Sequence, residues 1–197
     1  MSRSLRVLSL VLAMAVVVAV CPICGTALAD SSLAITEVCF NPTYKANSAG
    51  LEKNADVFEF VEVVNRSDKT VSLADVTLQY SKAGYGGSFA CNEVLAVSDS
   101  PRVLKAGEVA VFALYNERCA KLGLQYGNDD QLRDFFVAFE KFYNLAQDMH
   151  IDRFYVCPSV ESGKSTAISN AFTLGNKAED AVVAVVGADG KRLCSAA

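Results

Sequence analysis

The sequence predicts an all-β fold, a sandwich-like domain that carries one inserted α-helix. Three observations predict it. Short β-branched and aromatic runs recur from Leu33 onward, each closed by turn residues. Gly187-Ala188-Asp189-Gly190 separates two late apolar runs, as a hairpin turn does. A single segment, 129–149, abandons strand periodicity for helical spacing.

The first 29 residues stand apart from this pattern. Arg3 and Arg6 precede an uncharged apolar stretch, 7–20, and Ala27-Leu28-Ala29 forms a small-x-small cleavage site before Asp30. The stretch falls short of the roughly 20 residues a membrane-spanning helix needs. The expectation is a cleaved signal peptide, 1–29, and a secreted, periplasmic or cell-envelope product, 30–197, with no membrane span. Val20 before Cys21 is not the small residue that precedes a lipidated cysteine, which argues against a lipid anchor.

The remaining chain has the length of one domain and can bury about 70% of its unfolded surface. Its elements follow in order. The first run, 33–40, is stopped by Asn41-Pro42, and 43–55 reads as a loop through Asn47, Ser48, Gly50 and Asn54. The second run, 58–64, ends in the polar turn Asn65-Arg66-Ser67-Asp68, and the third is 76–81. Gly84, Gly86 and Gly87 mark 82–90 as a further loop, overlapping a fourth run at 88–97. The continuous apolar run 109–115 has the composition of a core strand.

In 129–149, Leu132, Phe135, Phe136, Phe139, Phe142, Tyr143, Ala146 and Met149 recur at helical spacing behind an acidic first turn. This predicts a helix packed across an open end or edge of the sandwich, with a partner-binding helix as the alternative. The runs 181–186 and 191–195 close the chain as a hairpin around Asp189-Gly190.

Four of these stretches, "LAITEVCFNP" at 33–42, "FEFVEVVNRSDKTVSLADVTL" at 58–78, "LKAGEVAVFAL" at 104–114 and "FTLGNKAEDAVVAVVGADGKRL" at 172–193, resemble the lamin tail domain in that family's order. Ile35, Glu37 and Val38 match its opening strand, and Val61, Glu62, Val63 and Asn65 its second strand and turn. Leu73, Gly107, Asn176 and Gly190 match the leucine, glycine, asparagine and hairpin glycine that follow. The chain departs from the family in having Asp75-Val76 where Gly-Trp is frequent, and in its long 128–169 segment. The resemblance implies an immunoglobulin-like β-sandwich. It also implies an exported bacterial interaction module without catalysis or cofactor.

The residues offer little for catalysis. Glu59 and Glu62 are three apart, so strand alternation sets them on opposite faces, Glu59 with Val61 and Val63, and Glu62 with Phe58, Phe60 and Val64. Glu37 and Glu62 are expected to meet if the first two strands pair. His150 is the single histidine, at the end of the helical segment, which leaves no base for a nucleophilic triad and no zinc set. "ESGKS" at 161–165 lacks the glycine a phosphate loop needs, because Pro158 holds that place. Asp129, Asp130 and Asp134 miss calcium-loop spacing and suit a helix start. No catalytic, cofactor or metal residue is assigned.

Formal charge is −4, without a Lys/Arg cluster, which disfavours nucleic acid as a partner. Cys39, Cys91, Cys119, Cys157 and Cys194 are widely spaced, the pattern of disulfides in an exported chain, with connectivity left open. The expected function is binding of an extracellular or envelope protein or glycan through the loops or the helix face. The rivals are an extracellular metal-dependent hydrolase, chiefly a phosphodiesterase, and a secreted protease inhibitor.

Overall fold

In the computed structural model, the described residues are 32–39, 57–82, 85–94, 102–143, 151–158 and 182–196. All lie within the compact unit Ser31–Ala197. The predicted signal peptide, the loop 43–55, residues 144–150 with His150, the 161–165 motif and Asn176 fall outside them.

The fold is all-β and sandwich-like, as the sequence predicts. Eleven strands are described: β1 Leu33–Cys39, β2 Phe60–Asn65, β3 Val71–Ser72, β4 Thr77–Lys82, β5 Tyr85–Ala90, β6 Asn92–Glu93, β7 Val103–Leu104, β8 Val109–Tyr115, β9 Arg153–Pro158, β10 Val182–Val186 and β11 Arg192–Ala196. Two helices, α1 Glu117–Lys121 and α2 Asp129–Tyr143, join β8 to β9. One sheet has the order β1-β2-β8-β9-β6, a second the order β11-β10-β4-β5, and β3 pairs with β7.

The two larger sheets enclose a core of Val61, Val63, Leu78, Tyr80, Phe112, Leu114, Tyr155, Val183 and Val185. The five-stranded sheet is buried on its other face as well. There Phe60, Val111, Ala113, Phe154 and Val156 pack beneath Leu132, Phe135 and Phe139 of α2. Burial on both faces explains the unbroken apolar run of β8.

The helix therefore lies over a sheet face and not across an end or edge of the sandwich. The reason is connectivity: β8 and β9 are parallel, and a parallel pair requires a crossover, here supplied by α1 and α2. The predicted helix starts at Asp129 as expected, with Asn128 Oδ1 accepting from the Gln131 amide at 3.0 Å. Tyr143 Oη donates to the Phe58 carbonyl at 2.7 Å, fastening the helix to the chain ahead of β2. No helix among the described residues is long and apolar enough to cross a membrane.

Two segments depart from expectation near the glycines. In the loop predicted at 82–90 the described residues are strand: β4 runs to Lys82, and β5, Tyr85–Ala90, pairs with it in register. Gly87 is what allows it: a Cβ there would stand 2.5 Å from Cζ of Phe89, whose ring fills that space. The second run begins at Phe60 and not at 58, because Phe58 has φ of 60°. At the other end of the chain, Gly190 takes φ of 75° in the β10–β11 turn, as the Asp-Gly signal predicts.

Candidate functional site

The positions singled out by the sequence gather in two places. Val61, Val63 and Leu73 lie in the inter-sheet core, with Ile35 and Val38 packed against it. Asn65 and Gly107, 42 positions apart in the chain, meet at the end of β2, where the Gly107 amide donates to the Asn65 carbonyl at 2.8 Å. Gly107 holds φ of 78°, the left-handed region that favours glycine.

The Asn65 side chain is the hub of that corner. Its Nδ2 donates to the Lys69 carbonyl at 2.7 Å and to the Leu104 carbonyl at 2.8 Å. Its Oδ1 accepts from the Ser67 amide at 3.0 Å and the Ser67 hydroxyl at 2.8 Å. Such a residue is structural, holding a turn closed.

Glu37 and Glu62 stand directly opposite one another in the β1–β2 ladder, as expected. A register shift between Ile35 and Glu37 turns Thr36 so that its Oγ1 donates to Glu62 Oε1 at 2.6 Å. Glu59 is fully buried, and its charge acts on Cys39, Cys119 and Tyr143. The two glutamates thus serve different neighbours. Asp129, Asp130 and Asp134 are exposed at the start of α2. Among the described residues no group of three or more His, Cys, Asp or Glu could hold a metal ion.

The segment 82–90, which the sequence offered as a contact loop, lies at the opposite edge, where the chain passes from the four-stranded sheet as β5 into the five-stranded sheet as β6. Glu93 secures that corner. Its carboxylate accepts the Arg102 amide at 3.0 and 2.9 Å and lies 3.6 Å from Arg153 Nη1, with the Arg153 and Glu93 side chains only 2% and 7% exposed. Arg153 Nε donates to the Val103 carbonyl at 2.8 Å, so the guanidinium bridges β9 to the β7 segment. Tyr155 Oη lies 3.4 Å from Glu93 Oε1, and burial first, then the Glu93 charge, raises its phenol well above the usual range. A pocket of about 60 Å³, lined by Glu93, Val94, Asp129, Leu132 and Arg133, opens beside it.

The β5 backbone completes the corner. Cys91 donates its amide to the Val76 carbonyl at 3.2 Å, and Ala90 is opposite Thr77. Hydrogen-bonded pairs alternate along an antiparallel ladder, so Phe89 and Gly87 bond to β4 whereas Ala90, Ser88 and Gly86 turn their N–H and C=O groups outward. Among the described residues, β5 has no second strand beside it. Ser88 and Ala90 are exposed there. The glycines that made this segment read as a loop are the signal that was available.

Comparison with protein-family models and with curated proteins finds no match for this chain.

Proposed function

We propose that this chain is an exported, non-catalytic interaction module of lamin-tail-like type. It adds an extended segment of an extracellular or envelope protein to the edge of β5 that no strand among the described residues covers. The observation that carries this reading is the outward row of Gly86, Ser88 and Ala90 backbone groups. An edge of this kind is a template for strand addition, and short side chains leave it open to another backbone.

The lamin-tail relationship draws support from the Asn65–Gly107 bond, which joins two positions of the resemblance. It also draws support from a departure. Asp75 stands where that family often has glycine, and it takes φ of 51°, while Val76, in the tryptophan position, is 1% exposed. Position and conformation agree although the residues differ. The non-catalytic reading is supported by the carboxylates themselves, since Glu62 and Glu93 are engaged in holding strands and backbone.

The test is affinity capture from extracellular and envelope extracts with the purified chain and with Ser88→Pro. Proline at Ser88 removes an outward N–H and none of the bonds to β4. Saturable capture by the parent chain, lost in the variant, is the expected result. Equal capture by both, or metal-dependent turnover of a phosphodiester, contradicts it.

A further inference from the structure

We infer that Cys91 and Cys157 form a disulfide that ties the β5–β6 corner to β9. All five described cysteines are thiols in this structure, and the Cys91 and Cys157 sulfurs lie 2.9 Å apart. The other three have different neighbours. Cys39 Sγ is 3.5 Å from Tyr143 Oη, Cys119 Sγ faces the Leu114 carbonyl at 3.8 Å, and Cys194 is buried opposite Val185.

Register makes the pairing more than proximity. Asn92 is opposite Val156 and Glu93 opposite Tyr155, which brings Cys91 opposite Cys157 one step further along. The Val94 amide donates to the Phe154 carbonyl at 2.9 Å, and alternation from there sets 91/157 at a non-hydrogen-bonded position. At such positions Cα atoms approach to about 4.5 Å, within the roughly 4.4–6.8 Å that a disulfide spans. The bond therefore needs side-chain rotation and no backbone movement.

The half-buried Cys91 is the sulfur that reagents reach, and Cys157 is buried behind it. The oxidant is a disulfide, R–S–S–R, of a small thiol or an exchange enzyme. Cys91 thiolate attacks one of its sulfurs, forming a mixed disulfide and releasing RS⁻. Cys157 then gives up its proton and attacks the Cys91 sulfur, releasing the second RS⁻. Two protein thiols lose two electrons and two protons, and R–S–S–R becomes two RSH. The proposal stands whether or not β5 binds a partner.

The test is incubation of the purified chain with oxidised glutathione, followed by tryptic digestion without reductant. Cleavage at Lys82, Arg102, Arg153 and Lys164 places Cys91 and Cys157 in separate peptides, 83–102 and 154–164. The expected product joins these two peptides with a loss of two hydrogens, and Cys91→Ser abolishes it. Recovery of both peptides unlinked, or linkage of either to another cysteine, overturns the proposal.

Discussion

The Gly107 amide donates to the Asn65 carbonyl at 2.8 Å, while the Asn65 side chain bonds the Lys69 and Leu104 carbonyls. One residue thereby closes the turn after β2 and holds the approach to β8. Asn65 is 1% exposed, so Asn65→Ala leaves the buried Leu104 carbonyl without its donor and removes the bonds that tie Ser67 and Lys69 into the turn. The expected cost is about 2–3 kcal/mol, read from the urea midpoint of the purified chain. A midpoint within error of the parent would mean that the turn holds without Asn65.

Glu93 and Arg153 form a buried ion pair that also fixes the Arg102 backbone. Removing one partner leaves the other charge desolvated and unpaired. Glu93→Ala is therefore expected to destabilise the chain by about 3–5 kcal/mol, more than Glu62→Ala, whose carboxylate is only half buried. Denaturation of the two variants side by side checks the ranking, and equal losses would contradict it.

Stability should fall in alkali. Burial pushes the Cys119 thiol from its usual 9.0 up to about 11 and the Cys194 thiol up to about 12. Burial likewise raises the phenol of Tyr115 to about 12 and carries that of Tyr143 beyond it. The unfolded chain releases these protons at lower pH than the folded one does, so it binds fewer protons across the window between. Stability is then complete below about pH 8.5 and is lost progressively as pH rises toward 11 to 12. Urea midpoints from pH 8 to 11 should decline; a flat profile would contradict the burial of these groups.

Much of the sandwich was legible because its strands carry period-two or continuous apolar patterns. β1, β8, the β10–β11 hairpin and the meeting of Glu37 with Glu62 all follow from alternation and turn chemistry. β9 escaped because "RFYVCP" opens on a charge and closes on proline; the partner that makes Arg153 burial tolerable, Glu93, is remote in sequence. The first half of β5 escaped because three glycines in 84–87 read as a loop; the space over Gly87 is filled by the ring of Phe89, two residues further along the same strand, which the glycine composition does not reveal. The helix was legible from its periodicity. Its place over the sheet was not, since that depends on the parallel pairing of β8 with β9. The candidate edge was offered as a contact loop at 82–90, but its extended form was hidden for the same reason as β5 itself.

The most direct test of the account is amide hydrogen exchange of the chain, alone and with the protein partner recovered by affinity capture. The account predicts that the Gly86, Ser88 and Ala90 amides, which face away from β4, exchange quickly in the free chain and become protected on binding. Protection confined to other surfaces, with these three amides unchanged, would contradict it.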